Sequence, residues 1–353
     1  MLANKTLFMI AVGAAALAVA GCQKEAGESS GGDARDQIRA VGSSTVYPFT
    51  TAAAEQFARK NAGFKAPIVE STGTGAGMKL FCGGVGAQFP DIENASRQIK
   101  KSELDDCIKN GVKDIVEIQI GIDGIALAES KEGAPIALTQ EDIYKALAAN
   151  PYGKPQAAKT WKDVNPALPA IKIAVYGPPP TSGTRDAFAE LILEKGCDAD
   201  AATKALKDSD KDKHKEICTR IREDGAYVES GENDNLIVQK LAANPDAIGV
   251  FGYSFLEENL DKVRGIAIKG VVPTYDSIAS YEYPGARPLY LYVKGAHLKA
   301  VPGLKEFVAE YASAWNKDGY LARRGLIAAP ADVQAKNLDI AKNLTLLDPA
   351  TVK

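Results

Sequence analysis

Histidine and tryptophan are scarce in this 353-residue chain, with two copies of each, and there is no large excess of either charge. Its 42 lysines and arginines against 45 acidic residues leave a formal net charge of -3. That balance excludes the broad basic footprint that nucleic acid demands. The two histidines are His214, inside a charged run, and His297, near a strand end. Neither is placed to serve as a catalytic base, and both read as surface residues. The glycine-rich Ser/Thr turns contain no Gly-x-Ser-x-Gly elbow and no Ser-x-x-Lys, so a serine hydrolase is disfavoured. Nothing pairs two carboxylates for glycosidic chemistry. No catalytic residue is assigned. No period of 20–50 residues is present, which excludes solenoids and propellers. Among the five cysteines none stands in a Cys-x-x-Cys spacing, and with so few histidines neither a metal site nor a cofactor is expected.

Long apolar runs are missing too. Residues 7–20 form a stretch of about 14 residues behind Lys5, too short to span a bilayer comfortably and the length of a signal-peptide core. It ends in Val19-Ala20-Gly21-Cys22, which resembles the lipobox of bacterial lipoproteins, where the cysteine becomes the lipidated N-terminus. Residues 1–22 are therefore expected to be a lipoprotein signal peptide, with Cys22 the lipidation site. Residues 23–37 carry no large apolar side chain and are expected to be a flexible tether. The protein is then periplasmic or extracytoplasmic, and it touches the membrane only through the anchor. Of the three pairings open to the other four cysteines, Cys82–Cys107 with Cys197–Cys218 is the simplest. Each such bridge is worth about 3–4 kcal/mol by chain entropy.

What the chain does have is three Ser/Thr-Gly turns, each following a short apolar strand and opening a helix. They are Gly42-Ser43-Ser44-Thr45, Ser71-Thr72-Gly73-Thr74-Gly75-Ala76-Gly77 and Thr181-Ser182-Gly183-Thr184-Arg185. A helix start leaves backbone N–H groups unpaired and carries partial positive charge from the helix dipole. Glycine admits a ligand to the backbone, and Ser or Thr adds a hydroxyl donor. Each turn alone is explained by ordinary helix capping. Three together point to one oxyanion held from several sides, with Arg97 and Arg185 each able to present a planar fork to two oxygens. Because the net charge is slightly negative, the attraction must be local.

The order of elements is that of an α/β protein of two domains. Strands are predicted at 38–41, 67–69, 91–95, 116–122, 169–176 and 247–255, and an edge or linker strand at 287–293. Helices are predicted after the turns, over 186–194 and over 304–315. Residues 198–224 are heavily charged and read as a solvated insertion held by Cys197–Cys218.

Several segments together resemble the phosphate-binding proteins of bacterial ABC importers. They are Gly42-Ser43-Ser44-Thr45-Val46-Tyr47-Pro48, the Ser71–Gly77 turn, Asp91-Ile92-Glu93-Asn94-Ala95-Ser96-Arg97, Ser182-Gly183-Thr184-Arg185-Asp186, Asp246-Ala247-Ile248-Gly249-Val250 and Arg287-Pro288-Leu289-Tyr290-Leu291-Tyr292-Val293. They follow the family's order over residues 38–325. The resemblance implies a type II periplasmic-binding-protein fold, two α/β lobes joined by two linker strands. Lobe 1 would be 38–118 plus 274–353 and lobe 2 would be 119–273, with linkers at 117–122 and 270–275. It implies a monomeric receptor, not an enzyme, that binds inorganic phosphate and delivers it to ABC permease subunits. Ligand contacts are then expected from Ser43, Ser44, Thr45, Ser71, Gly75, Arg97, Ser182, Gly183, Thr184 and Arg185. Sulfate, molybdate or tungstate is the alternative ligand, and an exported phosphatase on the same scaffold a more distant one. The chain departs from the best-known branch by having Arg97 where an aspartate follows the serine, and Pro178 where an arginine precedes the third turn. A pocket carboxylate accepts the hydrogen bond of protonated phosphate and repels sulfate. Asp91, Asp123 and Asp186 are the candidates here to take that role.

Overall fold

β-branched residues are concentrated in one segment, where Ile115, Val116, Ile118, Ile120, Ile122 and Ile125 fall within eleven positions, so a long strand is favoured. It forms β4 (Ile115–Ser130), the spine of the molecule. The computed structural model describes residues 35–231 and 234–352. The signal peptide, Cys22 and most of the expected tether lie outside the described residues. Of that tether, Arg35 pairs with Asp91 and Gln37 donates to Ala66 O at 2.7 Å, so these residues are tied to the body.

The strands before β4 are β1 (Arg39–Gly42), β2 (Ile68–Ser71) and β3 (Ile92–Ala95). After it come β5 (Ala137–Leu138), β6 (Val175–Gly177), β7 (Tyr227–Glu229), β8 (Ile248–Gly252), β9 (Val263–Gly265), β10 (Ala267–Ile268) and β11 (Ala286–Lys294). Nine strands form one sheet in the order β2-β1-β3-β11-β4-β8-β6-β7, with β9 also on β4, while β5 and β10 pair separately. β1 is parallel to β2 and β3, and β6 is parallel to β7 and β8. β11 runs antiparallel between β3 and β4, so it is central and not an edge strand.

Two large apolar cores sit along this sheet, one toward each end of β4, and a smaller third, with Phe81, Leu104 and Ile115, lies around the Cys82–Cys107 bridge. Val116, Ile118 and Ile120 pack in the first with Leu289, Leu291 and Phe307. Ile122, Ile125 and Leu127 pack in the second with Phe188, Ile248 and Phe251. The change from one core to the other falls near Gly121 on β4, so a single strand contributes to both lobes. Ile278 and Tyr283, beyond the expected boundary at 273/274, pack in the second core. At the waist, Ile122 and Ile327 exchange backbone hydrogen bonds of 2.8 and 3.0 Å, which brings the C-terminal segment alongside β4.

The disulfides Cys82–Cys107 and Cys197–Cys218 are both formed. The charged segment folds as two short helices, Ala201–Ser209 and Lys211–Thr219. Both histidines are buried, contrary to their expected place at the surface. His297 lies 2.6 Å from Asp91 and 2.8 Å from Val85 O, and His214 lies 3.1 Å from Asp198. Each has polar partners inside, so burial leaves its ring satisfied.

Candidate anion-binding site

The parallel strands deliver their turns to one side, as open α/β sheets do at the carboxyl ends of strands. β1 leads into the first turn and then α1 (Tyr47–Lys60). β2 leads into the second turn and α2 (Thr74–Phe81), and β3 into Ser96-Arg97 and α3 (Lys101–Lys109). In the second lobe β6 leads through Pro178–Pro180 into the third turn, whose helix runs over 183–197 with a π-turn at Ala189–Leu193.

In the first turn Ser43 is buried, and its Oγ accepts from the N–H groups of Thr45 and Val46 at 3.2 and 3.4 Å. Ser44 Oγ donates to Asp186 Oδ2 at 2.5 Å, and Thr45 Oγ1 lies 3.4 Å from Gly183 O. Ser44 and Thr45 thus reach across to the second lobe. Ser182 Oγ caps the third helix by accepting from Thr184 N at 3.3 Å. A Cβ at Gly183 would lie 2.9 Å from Ser44 O and 3.1 Å from Thr45 Cα, so the first and third turns touch at a glycine.

The second turn hooks onto the first, because Thr72 N and Gly73 N both donate to Gly42 O, at 2.9 and 2.8 Å. Ser71 and Gly75 are exposed at its edge. Thr74 Oγ1 accepts from Ser96 N at 3.2 Å, joining this turn to the end of β3. All three turns therefore occupy one region.

The arginines are less free than the sequence implied. Arg97 forms a two-bond fork on Glu103, at 2.7 and 2.9 Å, and this neighbour holds the Glu103 carboxyl below its usual range against the opposing effect of burial. Arg185 donates to Pro178 O at 3.1 Å and stacks 4.4 Å above the Tyr227 ring. It lines a cleft of about 1050 Å³ on the second lobe, beside Tyr227 and Arg222, to which the first and second turns contribute nothing. In the same area Glu194, Asp198 and His214 bring ligand atoms within 4.8 Å of one another. Lys207 Nζ already supplies a cation there, 2.8 Å from Glu194 and 2.5 Å from Asp198.

The three candidate aspartates separate clearly. Asp91 is at the far end of β3, buried and taken up by Arg35, Arg39 N and His297. At about 3.3 Å per residue it stands about 16 Å from Ser96, too far to meet a ligand at the turns. Asp186 is at the meeting of the lobes through Ser44. Asp123, on β4, accepts from Arg287 Nε at 3.2 Å, and burial outweighs that arginine to push its carboxyl up.

Arg287 stands beside the first turn, and the sequence did not single it out. It is buried on β11, and its guanidinium touches Thr45 Oγ1 (2.8 Å), Asp123 and Glu190, thereby joining both lobes to the linker. Glu93 is the second. It is fully buried in β3, with both carboxyl oxygens lacking a hydrogen-bond partner. The available signal was a glutamate inside a strand otherwise reading as buried.

A family model described as a PBP superfamily domain matches residues 27–314. The phosphate-binding protein PstS of Staphylococcus saprophyticus is 32% identical over 290 residues, which is 80% of this chain and 77% of that protein. The chain belongs to the periplasmic phosphate-binding protein family. Protein SphX of Synechococcus elongatus is 31% identical over 307 residues, 84% of this chain and 79% of that one. Among solved structures, a possible phosphate binding protein from Planctomyces limnophilus matches with a TM-score of 0.69 at 29% identity, covering 86% of this chain and 98% of its own. An ABC-type phosphate transport receptor from Vibrio cholerae, 21% identical with a TM-score of 0.56, covers 82% and 99% and shares the fold. The family comprises extracytoplasmic substrate-binding receptors. Among the described residues no helix is long and apolar enough to cross a membrane.

Proposed function

We propose that this protein binds inorganic phosphate between its lobes and delivers it to the permease subunits of an ABC importer. The observation that carries the reading is the contact of the first and third turns, from opposite lobes, at Ser44, Thr45 and Gly183. Two helix starts converge there, and an oxyanion seated between them draws N–H donors from both. Closing two lobes over a ligand is a hinge motion that this architecture permits. Ser43, Ser44, Thr45, Ser71, Gly75, Ser182, Gly183 and Thr184 are the proposed contacts, with Arg287 and Arg97 as the local cations, while Arg185 is turned away onto Tyr227.

The protein works as a monomeric receptor and not as an enzyme. Support comes from the histidines, which sit in interior networks away from the turns. It is anchored outside the cytoplasmic membrane by acyl chains on Cys22, and Cys22→Ala releases it from the membrane fraction.

Isothermal titration with phosphate, then with sulfate, molybdate and tungstate, tests the ligand. Phosphate at 100 times its dissociation constant raises stability by about 2.7 kcal/mol. Tighter binding of another oxyanion overturns the choice of phosphate. Sustained release of phosphate from an aryl phosphate, abolished by Ser182→Ala, overturns the receptor reading.

A further inference from the structure

We propose that Glu93 is a direct contact of the bound oxyanion and acts as a neutral carboxylic acid, donating its O–H from between the first two turns. This deepens the phosphate-receptor reading and rests on it.

The placement is specific. Glu93 lies in β3 opposite Val41 on β1 and opposite Tyr292 on β11. Its carboxyl fills a slot that two glycines keep open. A Cβ at Gly42 would lie 2.7 Å from Oε1, and one at Gly77 would lie 2.2 Å from Oε2. Gly42 immediately precedes Ser43, and Gly77 closes the first turn of α2, the helix that the second Ser/Thr-Gly turn opens. The carboxyl is thus wedged against the backbones of two anion-binding turns. It is fully buried, and neither oxygen has a hydrogen-bond partner.

Other carboxylates near the turns are already committed. Asp123 and Glu190 hold Arg287, Asp186 holds Ser44, Glu103 holds Arg97, and Glu117 holds Tyr292. Glu93 alone in this group is unspent. An ionised carboxylate buried without a partner is costly and takes up a proton instead. Burial pushes Glu93 well above the usual range, Glu103 adds to the shift, and Arg97 opposes it. From β11 the facing group is the Tyr292 hydroxyl, which donates to Glu117, while β1 and α2 present the uncharged Val41, Gly42 and Gly77. A neutral acid in this place keeps one donor in hand, and an arriving anion is what satisfies it. An ionised Glu93 would repel the same anion.

The linkage has a definite sign. The anion binds the protonated form better, so binding raises the carboxyl's pKa further and affinity falls as pH rises through the free-state value. The test is isothermal titration of phosphate and of sulfate, which does not titrate in this range, between about pH 5 and pH 9 on the full chain. Glu93→Gln keeps a donor at every pH. It is expected to bind phosphate within about threefold of the parent at low pH, and more tightly than the parent at high pH, with the protein-borne pH dependence gone. Glu93→Leu removes the donor and is expected to lose about tenfold in affinity at low pH. A Glu93→Gln protein that loses phosphate selectivity over sulfate at low pH would show an accepting carboxylate and overturn the neutral-acid role. Identical affinity and pH profile in parent and both variants would overturn the contact itself. If the variants do not fold, infrared difference spectra of the parent decide: the C=O band of a buried protonated carboxyl must shift when phosphate is added, and no shift overturns the proposal. Failure of the parent to bind phosphate at any pH is a separate outcome, because it removes the receptor reading.

Discussion

Arg287 Nη2 donates to Thr45 Oγ1 at 2.8 Å, joining the linker strand β11 to the first turn. The same guanidinium holds Asp123, 3.2 Å from Nε, so one side chain pairs a partly buried carboxylate and orients the hydroxyl of a proposed ligand contact. Arg287→Ala removes both functions. It leaves the partly buried Asp123 without its partner, a change that costs about 1–3 kcal/mol in stability. Arg287→Lys keeps a charge but loses the planar fork, so its stability loss is smaller while phosphate affinity still falls about tenfold. Urea unfolding and calorimetry of the two variants check this, and an Arg287→Ala protein of parental stability contradicts it.

Gly183 is where the lobes meet, and the available space sets the outcome of substitution. Gly183→Ala puts a methyl 2.9 Å from Ser44 O, closer than carbon atoms approach carbonyl oxygens, and both neighbours are backbone. The lobes must stand apart by several tenths of an ångström. Because the clash arises only between lobes, unliganded stability is expected to change by less than about 0.5 kcal/mol. Phosphate affinity is expected to fall by tenfold or more, since about 1.4 kcal/mol of closure contacts suffices for that factor. Equal affinity in calorimetry rules out closure at this point.

Much of this arrangement was legible in the sequence. Ser43, Ser182 and the glycines around them announced helix starts, because capping chemistry is local. The two cysteine pairs were legible because each bridge joins residues in one segment. What was hidden depends on distant chain. Arg97 looked free until Glu103, six residues on and inside α3, proved to hold it. Arg185 looked poised for ligand until Tyr227 supplied a ring for it to stack on. Arg287 meets Asp123 only when β11 pairs with β4, and Glu93 meets the first turn only when β3 pairs with β1. The place of β11 was hidden for the same reason: its alternating pattern does not say which strands flank it.

The bridge Cys197–Cys218 ties the end of the 183–197 helix to the end of the Lys211–Thr219 helix. It closes a loop of 21 residues. By chain entropy its loss, as Cys197→Ala with Cys218→Ala, destabilises by about 3 kcal/mol. The helix start at Gly183 is held independently by Ser182 and by the first turn, so phosphate affinity is expected to stay within about threefold of the parent, less than 1.4 kcal/mol. Unfolding and titration of the double variant test both halves. A large loss of affinity would mean that the bridge, and not the turn, sets the helix position.

Lys294 provides a test by pH. It is fully buried on β11, its Nζ donates to Gly84 O at 2.5 Å, and it sits 4.9 Å from the Phe81 ring and 5.4 Å from the Phe89 ring. Burial lowers its ammonium from 10.5 to about 8, with Asp91 opposing and Arg35 adding to the shift. Below that value the lysine is charged in both native and unfolded chains, and the native state bears the full cost of desolvation. Between about 8 and 10.5 the native chain has released the proton while the unfolded chain retains it. The unfolded state then binds more protons, so stability rises with pH in this window, by at most about 3 kcal/mol. The buried tyrosines act with the opposite sign but only above their ordinary value near 10, where the unfolded chain ionises first. Urea unfolding of the parent and of Lys294→Met at about pH 7 and pH 9.5 isolates the effect. The stability advantage of Lys294→Met over the parent is expected to shrink between the two pH values. A difference that stays constant would mean that Lys294 keeps its proton throughout, held by Gly84 O and the two rings.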